Sequence, residues 1–575
     1  MDPLIQRGID QLRCCLGEAA AYLEHAKAAT GEAAAFHFLL PEDYLAKKRV
    51  LRIAFPRTFP YMPPEFSVSP SAALEWPHVM DYGFCLYTGG EQPATGTPEI
   101  VVDAAVNKAF SLIRLSLSGS DPQLRQTEFA REIRSYWQMQ QAIAGHRLTL
   151  TTLPGESGPL YVVSDRSDLQ KNNYRYIAAA DYDEISSLEA RYGRHRVAKR
   201  ATEQAGYYLK LTSTPPPRLA VDLFAWLGPH IDVSEREKLK NWMNASGKLA
   251  SRWLILALPA GGVALHTFHL RSSEMHVQRS RVFGRRARRR SSVRATPHRY
   301  HADYASIDVL DQSVVHQRAG NAASGLAIKR AVLIGAGSLG GEVAVLLARA
   351  GVGRLVLVDN DVIEAVNIGR HVLGAGALGE FKVNALRDRI LRDIPTVDVI
   401  VFPKLIQLGG ARLEEEFAAA DIVVITTADW PSEEYIWHKK SAGASWSIVH
   451  AWSEPYGLVG HAFVAPPGAS DARAFFDGGR FKHRFSHWPN DGVFALPACG
   501  ASYIPGGPIG LARIAGMTAQ ITVEALLNPT VEPRWRFSVG QLDQLDSGGG
   551  SYTGPALGDG ARFMEHERLW PDESE

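Results

Sequence analysis

The first 150 residues alternate helical and strand-like patterns of apolar residues. Apolar positions recur at helical spacing from Leu4, and Ala-rich sequence extends the predicted helix to about Ala29. Two runs, AAAFHFLLP and YLAKKRVLRIAFP, then predict strands, and a Pro-rich stretch follows them. Helical spacing returns after Asp103 and again from Gln123, where aromatic residues share one face. We therefore expect residues 1–150 to form a compact α+β domain.

Residues 151–305 mix strand and helix patterns that are interrupted by PGESGP, STPPPR and PAGG. No catalytic constellation occurs among them, so we interpret this part as a connecting α+β domain. The run from Arg279 to Arg294, RSRVFGRRARRRSSVR, is too basic and too poor in apolar residues to pack, which predicts a solvated loop. Contact with nucleic acid or an acidic partner is the alternative, and the near absence of aromatic residues for base stacking counts against nucleic acid.

The pattern changes again from Lys329, where apolar runs alternate with helical segments. The runs are RAVLIGAG, LVLVDND, VDVIVFP and ADIVVITTAD. Runs of Val, Leu and Ile separated by helices are typical of parallel strands that are buried on both faces. Residues 306–575 are therefore predicted to contain a doubly wound, Rossmann-like α/β domain, and the whole chain is expected to combine α/β and α+β domains.

Charge and composition exclude several classes of protein. The chain has 62 Lys and Arg residues against 61 Asp and Glu, so its net charge gives no argument for binding nucleic acid or membranes. Its longest apolar stretch, WLILALPAGGVALHTF, is interrupted by Pro and Gly and is shorter than the roughly 20 residues of a membrane span. The N-terminus lacks the pattern of a secretory signal. We expect a cytoplasmic enzyme.

A glycine-rich loop follows the first buried strand of the C-terminal part. Gly335, Gly337 and Gly340 lie between that strand and a helical segment, in the sequence GAGSLG. Glycines there let the backbone approach a phosphate, and the helix that follows offers unpaired N–H groups. Asp359 comes about 22 residues later, where a carboxylate can bind ribose hydroxyls. These features fit an NAD enzyme as well as an ATP enzyme.

The residues after Asp359 favour ATP. Asn367, Arg370 and Lys382 follow within one short stretch. A hydride-transfer enzyme has no need of such groups on the phosphate side, whereas transfer of AMP needs cations that stabilise charge on the α-phosphate and on departing pyrophosphate. The sequence therefore predicts adenylation.

Together these motifs resemble the ThiF-like adenylation domains that ubiquitin-activating enzymes share with bacterial sulfur-carrier activators. The resemblance covers about residues 317–529 and rests on the order of glycine loop, Asp, D-x-D, Asn-x-x-Arg, Lys and a final Asp after a strand. It implies ATP and Mg²⁺ as cofactors and a homodimer. It also implies a role for each residue: ribose binding by Asp359, phosphate binding by Asn367, Arg370 and Lys382, and Mg²⁺ binding by Asp429, in keeping with the oxygen ligands that Mg²⁺ prefers.

Four cysteines, at positions 14, 15, 85 and 499, are too few and too scattered for a disulfide framework or a CxxC zinc site. Cys499 lies in FALPACGASYIPGGPIG, which predicts a loop. A thiolate there can convert an acyl adenylate into a thioester. Activating enzymes of the autophagy type resemble this arrangement, with a cysteine shortly before Pro-Gly. A buried thiol with a packing role is the alternative for Cys499, and it is the expectation for Cys14 and Cys15.

Cys85 lies in a segment that resembles the ubiquitin-conjugating fold over about residues 1–150. The resemblance rests on YMPPEF, a second strand and then Gly83-Phe84-Cys85-Leu86. It implies that Cys85 accepts a thioester from the activating cysteine. The sequence departs from the family where Trp76-Pro77-His78 replaces His-Pro-Asn. His78 either donates a hydrogen bond to the oxyanion, as the family's Asn does, or fills the turn.

The order of domains is similar to the fused enzymes of bacterial antiphage operons, above all cyclic-oligonucleotide (CBASS) systems. That resemblance implies conjugation of the C-terminus of a cGAS/DncV-like nucleotidyltransferase to a target lysine, and related operons use a ubiquitin-like carrier instead. Fusion raises the effective concentration of one thiol near the other. Sulfur-carrier activation would leave the first 300 residues without a purpose. A scaffold without activity and an NAD oxidoreductase are further alternatives.

Overall fold

The computed structural model describes most of the chain and divides it into two compact units. One unit comprises Met1–Ile185 and Val197–Asp308, and the other comprises Ser186–Arg196 and Val309–Glu575. Among the described helices, none combines the length and apolar character that crossing a membrane requires. The described residues are 2–87, 91–141, 146–165, 174–191, 204–219, 222–245, 251–259, 265–272, 300–319, 322–469, 472–495, 502–529, 532–540, 542–545 and 549–570.

The first helix, α1 (Pro3–Leu16), begins and ends with clear local signals. The side chain of Asp2 accepts a hydrogen bond from the N–H of Leu4, and proline occupies the first helical position. Gly17 has φ +58° and its N–H bonds back to carbonyls of the last turn, which closes the helix. The prediction that this helix extends to about Ala29 is wrong, because Leu23–Ala26 form a strand instead.

A four-stranded antiparallel sheet follows, in the order β1-β2-β3-β4. Its apolar face packs with one face of α1 and one face of the helix Pro98–Arg114 (α2), where Leu51, Ile53 and Phe55 meet Ile9 and Ala105. A short hairpin, β5 with β6, comes next in the chain. The strands are β1 Leu23–Ala26, β2 Glu32–Leu39, β3 Val50–Pro56, β4 Glu65–Ser69, β5 Val79–Met80 and β6 Gly83–Phe84.

Three helices complete this part of the first unit. The predicted helix from Gln123 is interrupted at Glu132, so that it forms two helices. The second of these contacts both neighbouring parts of the unit: Tyr136 bonds to the turn before β5, and Trp137 stacks on His266 in the barrel that follows. The helices are α2 Pro98–Arg114, α3 Pro122–Arg131 and α4 Ile133–Gln141.

The remaining described strands of the first unit form a closed barrel in the order β10-β11-β12-β13-β7-β9-β8. Antiparallel pairing of β8 with β10 closes it. Apolar residues on its outer face, such as Leu254 and Phe268, pack with Trp226 and Leu239 of the covering helices. The elements are β7 His146–Leu150, β8 Gly158–Asp165, β9 Tyr174–Ala179, α5 Tyr182–Arg191, β10 Gln204–Lys210, α6 Leu223–Leu227, α7 Val233–Ala245, β11 Ser251–Ala257, β12 Leu265–Ser272 and β13 Tyr300–Val309.

The second unit is built on a sheet of eight described strands in the order β16-β15-β14-β17-β18-β19-β25-β27. The first five pair in parallel, so the predicted parallel strands are confirmed, and the last three pair antiparallel. The sheet strands are β14 Arg330–Ile334, β15 Arg354–Val358, β16 Asp398–Phe402, β17 Ile422–Ile425, β18 Ser447–Ser453, β19 Val459–Ala465, β25 Arg534–Gly540 and β27 Phe563–Leu569.

Both faces of this sheet are covered. One core contains α10, α11 and α14, and the other contains α12, α13 and a group of aromatic side chains. The helices are α8 Gln312–Val315, α9 Ala322–Leu326, α10 Ser338–Ala350, α11 Lys382–Asp393, α12 Ala411–Ala418, α13 Trp430–Ser441 and α14 Pro508–Leu527. Short two-residue strands are β20 Phe476–Asp477, β21 Arg480–Phe481, β22 Ser486–His487, β23 Phe494–Ala495, β24 Ser502–Tyr503 and β26 Ser551–Tyr552.

Candidate functional site

The glycine loop joins β14 to α10 and needs glycine for two physical reasons. Gly335 has φ +92°, and a Cβ there would lie 2.7 Å from backbone atoms of Thr427. A Cβ on Gly340 would collide with the carbonyl oxygen of Gly335. Nothing lies within 4 Å of a Cβ built on Gly337. Backbone atoms therefore pack tightly against Gly335 and Gly340, whereas the space beside Gly337 is open.

Asp359 fastens this loop to the end of β15. Its Oδ2 accepts a hydrogen bond from the N–H of Ala336 at 2.7 Å, and its Oδ1 accepts one from the N–H of Asp361, also at 2.7 Å. Burial raises the pKa of Asp359, and the two N–H donors and the charge of Lys382 offset only part of that rise. The carboxylate thus positions the loop as well as facing the cleft beside it.

His371 holds the same loop from the other side, a role that the sequence analysis missed. Its Nε2 lies 2.7 Å from the carbonyl oxygen of Ala336, and its Nδ1 accepts the N–H of Leu373 at 3.0 Å. Burial lowers the pKa of His371, so the ring is neutral and donates from Nε2. Both backbone polar groups of Ala336 are therefore bound by side chains. The feature of the sequence that could have pointed to His371 is its position directly after Arg370.

Two lysines bring positive charge to the site. Lys382 begins α11 and is largely buried, and its Nζ lies 2.8 Å from Oδ2 of Asp361. Lys404 follows β16 and is exposed. Both line one cleft at the carboxyl ends of the parallel strands. The sequence analysis singled out Lys382 and missed Lys404, which stands in an unremarkable F-P-K sequence.

Asp429 follows β17 and caps the N-terminus of α13. Its Oδ2 accepts a hydrogen bond from the N–H of Ser432 at 3.2 Å. The preceding Ala428 has φ +54°, and the hydroxyl of Thr426 donates to the carbonyl oxygen of Gly335 at 2.8 Å. This turn therefore connects the loop after β17 to the glycine loop. The carboxylate of Asp429 is exposed at the cleft.

The cleft has a volume of about 330 Å³ and gathers most of the predicted residues. Asn367 and Arg370 are not among its lining residues: Oδ1 of Asn367 accepts the N–H of Glu364, and Arg370 donates to the carbonyl oxygen of Ile504 at 3.4 Å. Their predicted role in phosphate binding stays a prediction. The lining residues are Ile334, Gly335, Gly337, Val358, Asp359, Asn360, Asp361, Lys382, Lys404, Leu405, Ile406, Thr426, Thr427, Asp429 and Ser432.

The chemistry of the cleft fits a nucleotide and Mg²⁺. The open space at Gly337 lies at the start of α10, where N–H groups and the helix dipole favour phosphate. Lys382 and Lys404 supply charge for phosphate oxygens, and Leu405 and Ile406 supply apolar surface. The carboxylate of Asp359 can accept hydrogen bonds from ribose hydroxyls, and that of Asp429 offers the hard oxygen ligands that Mg²⁺ prefers.

The second candidate site surrounds Cys85, in the first unit. Cys85 follows β6, and its N–H donates to the carbonyl oxygen of His78 at 2.7 Å. Its thiol is half-buried, and Sγ lies 3.7 Å from the carbonyl oxygen of Tyr87. Burial and the charge of Glu132 raise the pKa of Cys85, while a hydrogen bond from Tyr82 lowers it. In its resting state the thiol is protonated at neutral pH.

His78 forms a buried charged cluster beside this thiol. Its Nδ1 lies 2.8 Å from Oε1 of Glu132, and its Nε2 lies 3.1 Å from Oε2 of Glu128. Burial lowers the pKa of His78, but the two carboxylates outweigh it and the net shift is upward. The hydroxyl of Tyr136 accepts the N–H of His78 at 2.7 Å and donates to Glu132 at 3.1 Å.

Glu128 and Glu132 contact the two ring nitrogens of His78 and so orient the ring. Both ring nitrogens face carboxylates, and φ is +60° at this position. Sequence patterns did not single out Glu128, Glu132 and Tyr136, which come together here because α3 ends and α4 begins at Glu132. Cys499 lies outside the described residues. Cys14 and Cys15 are exposed, which contradicts their predicted packing role.

Comparison with known proteins identifies the C-terminal region. Residues 318–542 match the model of the ThiF family, so this region contains a ThiF-family domain. The chain is 26% identical over 355 residues to the ATP-dependent ubiquitin transferase-like protein Cap2 of Escherichia coli (strain TW11681), covering 57% of each chain. It is 25% identical over 191 residues to the adenylyltransferase and sulfurtransferase UBA4 of Saccharomyces cerevisiae (strain YJM789), covering 32% of this chain and 43% of that relative.

These relatives are matched only in part. The chain spans about half the length, or less, of the curated relatives it matches. Among solved structures, that of E. coli MccB with ATP is 18% identical, covering 37% of this chain and 62% of that one, with a TM-score of 0.29. A likeness that low says nothing about the chemistry of this chain's site.

Proposed function

We propose that this chain uses ATP to activate the C-terminal carboxylate of a protein carrier and passes the acyl group through two thiols to a target amine. The observation that carries the proposal is the cleft at the carboxyl ends of the parallel strands, where Asp359 and His371 fix the glycine loop beside Lys382 and Asp429. That cleft lies within the ThiF-family domain. The partial similarity to Cap2, whose name describes an ATP-dependent ubiquitin transferase-like protein, supports the same function.

In the first step the carrier carboxylate attacks the α-phosphorus, a P–O bond breaks and pyrophosphate leaves. Lys382 and Lys404 stabilise the negative charge on the phosphate oxygens, and Asp359 orients the ribose. Asp429 would hold Mg²⁺, which supplies a further positive charge on the phosphates. Asn367 and Arg370 are the further proposed phosphate contacts.

The next steps move the acyl group between sulfur atoms. Cys499 attacks the acyl phosphate anhydride, a C–S bond forms and AMP leaves. The Cys85 thiolate then displaces Cys499, and this exchange is close to balanced because one thioester replaces another. Finally a target amine attacks the thioester on Cys85, a C–N bond forms, the C–S bond breaks and the Cys85 thiolate leaves. The amine's extra proton must then be accepted. Glu132 acts on this thiol electrostatically and is the proposed acceptor, and His78 connects Glu132 to Glu128.

Carrier and setting are proposed from the resemblance to antiphage enzymes. A cGAS/DncV-like nucleotidyltransferase with a free C-terminus is the first candidate, and a ubiquitin-like protein is the second. We further propose a homodimer formed through the adenylation domain, acting in the cytoplasm. We also propose that the chain has three functional domains, with boundaries near residues 150 and 305.

Carrier-dependent exchange of labelled pyrophosphate into ATP tests the activation step. Asp429→Asn keeps the helix cap, because Asn caps as well as Asp, but removes the charge. We expect exchange to fall by about 100-fold or more, as when one charge-stabilising contact is lost. The control is Asp398→Asn, at the opposite end of the strands, which should exchange at the wild-type rate. Full exchange in Asp429→Asn would refute the assignment of Asp429.

Sulfur-carrier activation is the second candidate, and the similarity to UBA4 favours it. In that case the activated carrier ends as a thiocarboxylate, and Cys85 has no role. Mass spectrometry of the carrier after turnover with a sulfur donor separates the two. A carrier that gains the mass of one sulfur in place of oxygen supports this candidate, and an amide-linked adduct on a second protein supports the two-thiol relay.

A further inference from the structure

Three side chains with metal-binding atoms come together on neighbouring strands of the barrel in the first unit. His146 lies on β7, Asp303 on β13 and His269 on β12. One nitrogen of each histidine and a carboxylate oxygen of Asp303 all lie within 4.8 Å of one another. His269 and Asp303 are direct partners across the antiparallel pair, so their side chains share a face. We call these three residues the barrel triad.

The barrel triad faces the interior of the barrel. Side chains alternate along a strand, and Phe268, next to His269, contacts Trp226 of the covering helix α6. His269 therefore points the opposite way, and it is only 5% exposed. Trp253, which is fully buried, stacks on its ring with 4.6 Å between centroids, and Tyr176 lies at 6.0 Å.

We propose that the barrel triad binds one divalent transition-metal ion of the Zn²⁺ type. Two imidazoles with one carboxylate are a ligand set that such ions accept, with water in a remaining position. Two ligands of a tetrahedral zinc ion, each about 2.1 Å from the metal, lie roughly 3.4 Å apart. Binding would have to draw the three ligand atoms, which now lie within 4.8 Å of one another, to about that separation. The rings of Trp253 and Tyr176 beside His269 lower the local polarity, which strengthens the attraction between ion and carboxylate.

The ion would connect parts of the barrel that are distant in sequence. His146 lies on the first strand of the barrel, while Asp303 lies on the last and His269 on the one before it. A ligand that binds only the folded chain stabilises it in proportion to its affinity. The site is therefore assigned a structural role. It is independent of the proposed adenylation and thioester chemistry, because none of its residues lies in the cleft or in the Cys85 cluster.

Titration of the full-length, chelator-treated chain with ZnCl₂ tests the proposal. We expect calorimetry to find one zinc ion bound per chain and thermal unfolding to shift upward with zinc and back with EDTA. His146→Asn, His269→Asn and Asp303→Asn should each weaken binding by more than the roughly 10- to 100-fold that even an outer-sphere partner contributes. His37→Asn, an exposed histidine of the four-stranded sheet, is the matched control and should bind zinc as the wild type does.

If all three triad variants still bind zinc, the ion lies elsewhere and the proposal is overturned. A wild-type chain that binds none of Zn²⁺, Mn²⁺, Co²⁺ and Fe²⁺, and whose unfolding temperature ignores all four, would overturn it as well. Because His269 is buried and its replacement can disturb the fold, elemental analysis of the purified wild type provides a readout that does not depend on the folding of the variants.

Discussion

Ala336, in the glycine loop, has both of its backbone polar groups bound by buried side chains. His371→Ala removes the partner of its carbonyl oxygen and of the N–H of Leu373. Each buried group left unsatisfied costs about 1–3 kcal/mol. With two groups left unsatisfied, we predict a loss of stability of about 2–6 kcal/mol by urea unfolding and a weaker affinity for ATP by calorimetry. His371→Gln, which can still donate to the carbonyl oxygen, should recover part of both. Wild-type ATP affinity in His371→Ala would mean that the histidine does not position the loop.

The reactivity of Cys85 follows from the charges around it. Because burial and Glu132 raise its pKa, the thiolate fraction and the rate of alkylation should still rise about tenfold per pH unit near pH 8. Glu132→Gln removes a negative charge and should speed alkylation at pH 8, whereas Tyr82→Phe removes a hydrogen bond to the thiolate and should slow it. Mass spectrometry of the Cys85 peptide measures both rates. Equal rates in the two variants would contradict this electrostatic account.

His78 should make stability depend on pH. Its folded pKa lies above the unfolded value of about 6.5, so its ion pairs stabilise the fold fully below pH 6.5 and lose that effect as pH rises through the folded pKa. Glu128→Gln should therefore cost most near pH 6 and progressively less toward pH 9 in urea unfolding. Arg131→Gln, which removes the other ion partner of Glu128, should show no such trend. A constant cost of Glu128→Gln across this range would contradict the assignment.

Among single residues, the sequence indicated as candidate site residues those that directly follow buried strands. Gly335, Gly337, Asp359 and Asp429 line one cleft because parallel strands end at one edge of the sheet. His371 escaped notice because its partner, the carbonyl oxygen of Ala336, is a backbone atom that carries no sequence signal. The placements of Asn367 and Arg370 depend on a loop whose path the motif alone does not determine.

The end of α1 is set by one residue, Gly17, whose positive φ no L side chain adopts cheaply. Gly17→Ala should cost about 1–3 kcal/mol of unfolding free energy, since strained backbone of this kind carries such a cost. Gly155→Ala is the control, because a Cβ there meets nothing within 4 Å and its φ is not positive, so stability should change little. Urea unfolding of both variants measures the difference. No loss in Gly17→Ala would show that the helix end is set elsewhere.

Elements whose patterns are local were predicted well, and elements that depend on distant pairing were not. Apolar runs such as Arg330–Ile334 and Ile422–Ile425 have no solvent-facing alternation, which indicates buried parallel strands without knowledge of their partners. In the barrel, β7 lies between β9 and β13, and β10 pairs in parallel with β11. Alternation along one strand says nothing about which distant strand lies beside it.

At the scale of the whole molecule, the two candidate sites belong to different units of the chain. The cleft and the ThiF-family match lie in the second unit, and the Cys85 cluster lies in the first. Under the proposed function, an acyl group is activated in one unit and delivered from the other, so it has to pass from Cys499 to Cys85. Covalent linkage of the units raises the effective concentration for that transfer.

Trapping the thioesters tests this handover most directly. The chain is mixed with ATP, Mg²⁺ and a carrier, quenched in acid and analysed for thiol-reducible carrier adducts by peptide mass spectrometry. In Cys85→Ala the adduct should accumulate on Cys499, and in Cys499→Ala neither position should be charged, while Cys14→Ala should behave as the wild type. A reducible carrier adduct on Cys85 in the Cys499→Ala variant would contradict the account.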